Sequence, residues 1–456
     1  MNGAARDRPA RGTTTRRPAG EVTPARACAF TVVRRVFEQG AYADRALVAE
    51  AGSLEPRDRA LATALAYTTV QRRATLDHVL NALSSRPIAR LDPATLAALR
   101  LGLAQLLLLD GIADHAAVHE SVELAKRTSR GAGGFVNAVL RRAIREGPQL
   151  LAGLDDLTPA HAAVLHSVPE WLAEMWFAEL GEAQARALLA AVNRAPESAL
   201  RVNTLLATPA DVAAALPVAS HLGALEEGLV LEGPFDLEGS SLWREGAIMG
   251  QSRGSMTPAH VLGAEPGDRV LDLCAAPGAK TGQLAAMMRD DGRLLAVERH
   301  PGRAAALQRT LSRLQVHCAE VRVADAVALE CEESFDRVLV DPPCSGLGTL
   351  QSRPDIRWRV TPERVAALPE AQLRILRAGA RRLRPGGTLV YSVCTISRAE
   401  SEGVVERFLA AESGFELAPI ADAADASPFQ QLLPSRDGTD GFFIARLARA
   451  GEGPPG

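Results

Sequence analysis

The feature that most constrains the fold is an alternation of short apolar runs with helical stretches, which begins near Asp268. Each run is followed by a polar or glycine-rich turn. This alternation is typical of a parallel, doubly wound sheet, so an α/β fold is predicted for this part of the chain. In such sheets ligands bind beyond the carboxyl ends of the strands, where the loops meet. The runs read RVLDLC, RLLAVE, VRVAD, FDRVLVD and GTLVYSVC.

The residues before this sheet divide into further regions, because 456 residues are too many for one compact core. Apolar residues at three and four spacing predict an all-α domain, with helices that begin near Ala27, Arg57, Pro93, Asp114 and Gly134. The predicted regions are a disordered basic arm (1–26), the all-α domain (27–147), linker helices with a small α+β subdomain (148–250), the α/β domain (251–447) and a disordered tail (448–456).

Composition excludes several classes of protein. Hydrophobic residues make up 47% of the chain and charged residues 23%, which is ordinary globular composition. The longest apolar stretch, near Leu96 to Leu109, is shorter than the roughly 20 residues that a membrane helix needs, so no membrane span is predicted. Six cysteines without CxxC or Cys/His spacing predict no metal site and fit a reducing cytoplasm. The net charge of −3 is uninformative about nucleic acid.

The first run ends in the turn LDLCAAPGAKT, which resembles a loop that cradles a nucleotide. Ala275, Ala276 and Gly278 are small enough for the backbone to approach a ligand closely, and the following helix offers free amide donors. The turn lacks the glycine spacing of dinucleotide sites and does not match GxxxxGK[ST]. Hydride transfer and ATP hydrolysis are therefore disfavoured.

Acidic residues end the next two runs. Glu298 ends the second run, where a carboxylate in this architecture accepts hydrogen bonds from the ribose hydroxyls of an adenosine ligand. Asp325 ends the third run and is well placed for the adenine amino group. Either residue alone is more often a helix cap or a surface charge. Because the two follow successive strands in this order, they favour an adenosine cofactor.

Two cysteines follow the last two runs. Cys344 closes the motif DPPC, and Cys394 lies in YSVCT, so neighbouring strands are expected to bring both thiols into one cleft. A buried structural cysteine is the plainer interpretation of each residue. The pair nevertheless has a chemical use, because C5 of cytosine takes a methyl group from a sulfonium only after a nucleophile has added to C6. A thiolate is well suited to that addition.

Other groups of this cleft can serve the same reaction. Asp341 can hydrogen-bond or protonate N3 of the base and so stabilise the charge that develops on addition. Lys280, which with Lys126 is one of two lysines in the chain, can hydrogen-bond the base, lower a thiol pKa or form only a structural salt bridge. The second thiol can assist release of the product. The residues alone leave open which cysteine attacks.

Two alternatives remain at this point. The motif DPPC is close to a motif of Asn or Asp, two prolines and an aromatic residue that serves methylation of exocyclic amino groups, but this interpretation leaves Cys394 without a task. The chain can also be a non-enzymatic RNA-binding or antitermination protein, which has no need of the thiols or of Glu298. Transfer RNA and large-subunit RNA stay open as targets, because RNA is recognised largely by its folded shape.

At these residues the chain closely resembles the Sun family of bacterial ribosomal RNA cytosine-C5 methyltransferases, the ribosomal RNA small subunit methyltransferase B group. The resemblance runs nearly full length and includes CAAPGAK, DPPCSGLGTLQSRPDIRW, VYSVCT and DGTDGFF. The segments HAAVHESVELAKRT and GFVNAVLRR resemble the NusB-type RNA-binding domain that precedes the catalytic domain in this family. Two residues depart from the family pattern: Ala279 replaces a usual glycine, and Pro342 replaces a common alanine.

The resemblance implies a class I (Rossmann-like) S-adenosylmethionine-dependent methyltransferase domain after a NusB-like domain and the α+β subdomain. The substrate would be a specific cytidine of unassembled small-subunit (16S) ribosomal RNA, methylated at C5 by a cytoplasmic monomer. Cys394 would be the nucleophile, Cys344 would assist release, and Asp341 and Lys280 would complete the catalytic groups. The cofactor would contact Cys274, Ala275, Ala276, Pro277, Gly278, Ala279, Lys280, Glu298, Asp325 and Asp341.

RNA binding is expected to depend on arginines in both parts of the chain. The predicted helix GFVNAVLRRAIRE carries three of them, and the segment around RPDIRWR carries three more. Contacts of arginine with phosphate release counterions, so each contact is expected to make RNA affinity depend on salt. The six residues are Arg141, Arg142, Arg145, Arg353, Arg357 and Arg359.

Overall fold

The computed structural model describes residues 21–128, 130–420 and 427–451. The chain divides into two units, Met1–Leu154 and Asp155–Gly456. Most of the predicted N-terminal arm and of the predicted C-terminal tail lies outside the described residues. Among the residues that are described, no helix is long and apolar enough to cross a membrane.

The described part of the first unit is helical, as the sequence predicts. The helix Pro93–Leu107 is apolar over most of its circumference and is buried on nearly all sides, which is how such a helix becomes stable. Its start is fixed by Asp92, whose side chain accepts a hydrogen bond from the Thr95 amide. The helices are α1 (Pro24–Gln39), α2 (Ala43–Ala51), α3 (Pro56–Gln71), α4 (Arg73–Leu83), α5 (Pro93–Leu107), α6 (Asp114–Thr128) and α7 (Ala132–Ala152).

Both predicted boundaries of the helical domain are wrong by a few residues. Helix α1 begins at Pro24, inside the predicted disordered arm, because Thr23 and Arg26 hydrogen-bond to the buried Glu120. Helix α7 continues to Ala152, through Pro148 of the predicted linker. Proline lacks the amide that a helix needs at this position. The turn before Pro148 packs closely against Leu107, since a side chain at Gly147 would lie 2.8 Å from a methyl group of Leu107.

The second unit begins with three helices that pack against one another. They are α8 (Pro159–His166), α9 (Glu170–Leu180) and α10 (Glu182–Ala191). Trp176 of α9 is fully buried, and Trp171 and Met175 pack against the same cluster. A short antiparallel sheet follows, in the strand order β2-β3-β1-β4. Its elements are β1 (Ala199–Val202), α11 (Pro209–Ala215), β2 (Ser220–Leu222), β3 (Gly228–Leu231), α12 (Ser241–Arg244) and β4 (Ile248–Gly250).

The large sheet of the second unit contains all five runs singled out in the sequence. Its core strands are β5 (Arg269–Leu273), β6 (Arg293–Glu298), β7 (Ala319–Val323), β8 (Phe335–Val340) and β9 (Leu383–Val393). These five are parallel, in the order β9-β8-β5-β6-β7, which confirms the doubly wound prediction. The antiparallel strands β10 (Phe415–Leu417), β11 (Phe429–Leu432) and β12 (Phe442–Arg449) extend the sheet beyond β9.

Helices cover both faces of this sheet. They are α13 (Arg253–Leu262), α14 (Ala279–Met287), α15 (Pro301–Arg313), α17 (Pro362–Arg382) and α18 (Glu402–Ala411), whereas the short helices α16 (Ile356–Arg359) and α19 (Pro434–Asp437) pack with α8–α10. Alternate residues of β5 enter opposite cores: Leu271 and Leu273 lie in one cluster and Val270 in the other. Strand β12 runs to Arg449, so the predicted start of the tail at residue 448 is too early. Arg449 pairs in register with Phe415 of β10, which keeps this end of the chain in the sheet.

The strand order contains the point where the connections change direction. From β5 the chain proceeds outward through β6 and β7, then returns to the other side of β5 to form β8 and β9. Leu273, at the end of β5, lies level with Val297 on one side and Val340 on the other. Loops at this edge therefore diverge and leave a crevice between them, which is where open α/β sheets bind ligands.

Candidate active site

The loops at the carboxyl edge of the large sheet carry every residue of the predicted catalytic and cofactor sets. The turn Cys274–Lys280 follows β5, Glu298 ends β6, and Asp325 follows β7. Asp341 and Cys344 follow β8, and Cys394 follows β9. Because these strands are parallel neighbours, the fold brings the five loops to one edge.

The turn after β5 has a backbone that only certain residues tolerate. Cys274 has φ 66° and Gly278 has φ 105°, both in the left-handed region. A side chain at Gly278 would also lie 2.8 Å from a methyl group of Leu307. The Ala275 amide donates to the Val297 carbonyl at 2.9 Å and ties the turn to β6. A tight, small-residue loop thus leads directly into the N-terminus of α14, a position suited to a polar ligand.

Glu298 is buried, with 3% of its surface exposed. Its Oε1 accepts a hydrogen bond from the His300 amide at 2.9 Å, whereas its Oε2 has no hydrogen-bond partner among the described residues. Arg303 lies nearby, with its Nε 3.5 Å from this Oε2, and its Nη2 donates to the Ala276 carbonyl at 2.8 Å. A buried carboxylate oxygen without a donor fits a ligand that supplies hydroxyl groups. No motif or spacing in the sequence indicated a role for Arg303.

Asp325 is exposed and already caps a short turn of 3₁₀-helix at Ala326–Ala328. Its Oδ1 accepts from the Val327 amide at 2.9 Å, and its Oδ2 lies 3.8 Å from Arg299. The two neighbouring valines, Val323 and Val327, are 53% and 41% exposed, which is high for apolar residues beside a crevice. The cap interpretation from the sequence is correct, and it leaves the carboxylate beside an apolar surface that a flat ring can cover.

Lys280 and Asp341 form an ion pair at the centre of the edge. Lys280 Nζ lies 2.8 Å from Asp341 Oδ2, while Ser392 donates to Asp341 Oδ1 at 2.9 Å. The Lys280 ammonium also lies 5.1 Å from the ring centre of Phe442, within cation–π range. Burial alone would lower the pKa of Lys280, but the Asp341 carboxylate outweighs it and the pKa is raised. The lysine is therefore cationic, and the salt bridge that was one of its predicted roles is present.

The two cysteine thiols lie in contact, with Sγ atoms 3.2 Å apart. Both residues are half-buried and neither forms a disulfide. The pKa of Cys344 is raised well above its ordinary value by its hydrogen bond with Cys394 and by burial. The nearby carboxylates of Glu400 and Asp341 add to this effect. The hydrogen bond from Cys344 instead lowers the pKa of Cys394, and Lys280 and Arg353 reinforce that effect against burial and Asp341. Cys394 is thus the thiol that ionises first.

Asp272, inside β5, is a titratable group of this site that sequence reasoning missed. It is fully buried, and Thr281 donates to its Oδ2 at 2.7 Å. Burial raises the pKa of Asp272 to about 7, with Asp341 adding to the effect while Thr281 and Lys280 oppose it. The signal was available, since an aspartate inside an apolar strand run is unusual. Among the described residues, no cluster of His, Cys, Asp and Glu is suited to a metal ion.

The six arginines predicted to bind RNA have different surroundings. In the helical unit Arg141 and Arg145 are exposed, and Arg142 is half-buried and pairs with Glu146 at 2.8 Å. In the second unit Arg353 is exposed and Arg359 is half-buried. Exposed cations remain suited to phosphate contacts.

The prediction for Arg357 is wrong. Its side chain is fully buried and donates to the Ser167 carbonyl at 3.0 Å and to the Val192 and Leu350 carbonyls at 3.1 Å each. It also donates to Asn193 Oδ1 at 2.9 Å. The guanidinium therefore joins the helices α8–α10 to the segment after the DPPC motif and does not face solvent.

Comparison with known proteins agrees with this architecture. The family model of the 16S rRNA methyltransferase RsmB/F matches residues 259–448. The model of the NusB family matches residues 23–145, and that of the RsmF/B-like ferredoxin-like domain matches residues 168–238. The three matches follow the order of the helical unit, the small sheet and the large sheet.

Whole-length relatives extend the likeness. A probable ribosomal RNA small subunit methyltransferase B of Synechocystis sp. is 34% identical and covers 93% of this chain and 99% of its own. One of Bacillus subtilis is 33% identical and covers 94% and 99%. The crystal structure of the protein PH0851 is similar with a TM-score of 0.80 and 26% identity, over 94% of this chain and 99% of that one. The chain therefore belongs to the ribosomal RNA small subunit methyltransferase B family.

Proposed function

We propose that the protein methylates C5 of a specific cytidine in small-subunit (16S) ribosomal RNA, with S-adenosylmethionine as methyl donor, through a covalent bond between Cys394 and C6 of the base. The observation that carries this proposal is the pair of thiols 3.2 Å apart beside the Lys280–Asp341 ion pair. An enzyme that methylates an amino group has no use for such a nucleophile. Family membership supports ribosomal RNA as the substrate.

The residues for the cofactor fit an adenosine ligand. Glu298 offers a buried oxygen without a hydrogen-bond donor among the described residues, which suits a ribose hydroxyl. Asp325 offers an acceptor for the adenine amino group beside the exposed Val323 and Val327. Gly278 supplies the left-handed backbone of the loop before α14, where a side chain would meet Leu307. When bound, S-adenosylmethionine would supply a sulfonium methyl group for transfer to C5, and its sulfur would leave as a neutral thioether.

Cys394 starts the reaction. Its thiolate adds to C6 and forms the C6–S bond. The π electrons of the C5=C6 double bond move to C5, which becomes nucleophilic. Lys280 and Arg353 favour the ionised sulfur by their positive charge. The negative charge that moves to N3 on addition meets the Lys280–Asp341 pair, which holds a proton that can be shared with the ring nitrogen.

Cys344 takes part in release. After methyl transfer the C5 proton leaves to water, its electrons re-form the C5=C6 double bond, and the C6–S bond breaks. The electrons of that bond return to the Cys394 sulfur as a thiolate. Cys344 keeps its proton because its pKa is raised. It can therefore donate its S–H to the departing sulfur and make Cys394 a better leaving group.

The test uses small-subunit RNA that contains 5-fluorocytidine, because fluorine cannot leave as a proton and the adduct is trapped. We expect a denaturation-resistant protein–RNA adduct with wild type and with Cys344→Ala, and none with Cys394→Ala. Nuclease digestion of normally methylated RNA should give 5-methylcytidine. A product methylated on N4 would refute the proposal. An adduct that persists in Cys394→Ala but not in Cys344→Ala would exchange the roles of the two cysteines.

A further inference from the structure

The loops that carry Cys344 and Cys394 both hydrogen-bond to the carboxylate of Glu400, which is fully buried. Its Oε2 accepts a hydrogen bond from the Ser345 amide at 2.8 Å, directly after Cys344. Its Oε1 accepts from the Thr395 hydroxyl at 3.3 Å, directly after Cys394. One side chain thus contacts the residue that follows each thiol.

Further hydrogen bonds close the network around Glu400. Ser345 Oγ and Thr395 Oγ1 lie 2.7 Å apart, which joins the two loops directly. Gln372 of α17 donates both to Glu400 Oε2 at 3.0 Å and to the Pro343 carbonyl at 3.1 Å. We call these four residues, Ser345, Gln372, Thr395 and Glu400, the Glu400 network. It ties the loop after β8, the loop after β9 and helix α17 to one another.

We propose that Glu400 is a positioning residue for the thiol pair, because its carboxylate holds the Cys344 loop and the Cys394 loop in register. The inference rests on the proposed covalent chemistry for its use, but its geometry does not. A carboxylate held by several donors is a rigid anchor, and rigid support of reacting groups is what catalysis at a fixed distance needs. Loss of about 1 Å in such placement can lower a rate roughly 100-fold.

Charge gives Glu400 a second effect on the pair. The groups that face Cys344 are Cys394, Glu400 and Asp341, whereas Cys394 faces Cys344, Asp341, Lys280 and Arg353. The buried phenol of Tyr391 also lies here and donates to the Glu400 carbonyl at 2.7 Å. Glu400 is therefore a negative charge that acts on Cys344, while the two cations act on Cys394. This asymmetry favours one assignment of roles over its reverse.

The decisive variant is Glu400→Gln, which keeps the shape of the side chain and removes its charge. The amide oxygen can still accept from Ser345 and Gln372, and the amide nitrogen can donate to Thr395. The matched control is Glu406→Gln, the same change at an exposed glutamate of α18. Alkylation with iodoacetamide, read by peptide mass spectrometry, gives the ratio of label on Cys344 to label on Cys394 without any need for RNA or cofactor.

We expect Glu400→Gln to raise this ratio by about 10-fold, the effect of one unit of pKa, and to leave thermal stability and cofactor affinity close to wild type. We expect kcat to fall about 10-fold with KM for RNA within about twofold, because the thiols and not the RNA surface are affected. Glu406→Gln should match wild type in every measurement. An unchanged labelling ratio and kcat in folded Glu400→Gln would overturn the inference.

A second variant serves if Glu400→Gln does not fold. Thr395→Val removes the hydroxyl between the loops at constant volume, and we expect it to lower kcat with unchanged cofactor affinity. Unchanged kcat would again overturn the inference. The two proposals fail separately: a shifted labelling ratio in a protein that forms no RNA adduct would refute the covalent mechanism and leave the role of Glu400 intact.

Discussion

The buried aspartate inside β5 makes stability depend on pH in a direction that can be worked out. Asp272 is fully buried, and burial raises its pKa from an ordinary 3.8 to about 7. A raised carboxyl pKa means that the folded state holds a proton which the unfolded chain releases. Stability is therefore highest below the unfolded pKa and is lost as pH rises to about 7, above which the loss levels off.

The change that tests this is Asp272→Asn, which can still accept the hydrogen bond from Thr281. The cost of the wild-type group is about 1.4 kcal/mol for each unit of pH between the two pKa values. It amounts to roughly 2 kcal/mol at pH 5 and roughly 4 kcal/mol at pH 8. Asp272→Asn is thus expected to gain roughly 2–3 kcal/mol over wild type when the pH is raised from 5 to 8.

Urea unfolding at both pH values, followed by tryptophan fluorescence, measures this difference. The four tryptophans all lie after residue 154, so their fluorescence reports the second unit alone. The matched control is Asp291→Asn at an exposed aspartate, which should follow the wild-type pH dependence. If the gap between Asp272→Asn and wild type were the same at pH 5 and pH 8, the argument from burial would be wrong.

Further predictions separate ligand binding from structural support. Glu298→Ala should weaken cofactor affinity about 10- to 100-fold, read by calorimetry, because the proposed charge-assisted hydrogen bond between Oε2 and a ribose hydroxyl would be lost; unchanged affinity would argue against the ribose contact. Gly278→Ala should weaken cofactor binding and lower stability by about 2 kcal/mol, since φ is positive and a methyl of Leu307 is close. Arg357→Met should destabilise the second unit by about 3 kcal/mol without altering the salt dependence of RNA affinity. Arg353→Ala should leave the free energy of unfolding unchanged. It should lower the slope of log RNA affinity against log salt concentration by about one.

The strand pattern was enough to predict that the candidate cofactor residues and the two thiols lie at one edge of the sheet. The five parallel strands are visible in the sequence as short apolar runs separated by helical stretches. In parallel sheets the carboxyl ends of the strands meet at one edge. The distance between neighbouring strands then brings the residues after β8 and β9 together. That the Cys344 and Cys394 sulfurs lie close was therefore predictable, whereas their contact at 3.2 Å depends on the loops behind them.

Residues whose partners are distant in sequence were beyond prediction. Arg303 and Glu400 lie in ordinary polar stretches and Ser392 lies inside β9, and only tertiary structure brings them to Ala276, Ser345 and Asp341. Arg357 was assigned to RNA because its neighbours are basic, but four acceptors supplied by other segments make its burial favourable. Local pattern detects periodicity and charge, and neither reports which charge is buried.

The difference between the thiols shows what structure adds to chemistry. Sequence left both cysteines as candidates for the nucleophile, since each follows a strand of the same edge. Their surroundings differ: cations at Lys280 and Arg353 act on one sulfur, and the Glu400 carboxylate acts on the other. A single proton shared between two sulfurs 3.2 Å apart then rests on Cys344, because that arrangement places negative sulfur next to positive charge. In the proposed reaction, the same arrangement would leave an S–H donor beside the sulfur that departs, so one asymmetry of charge would serve both attack and release.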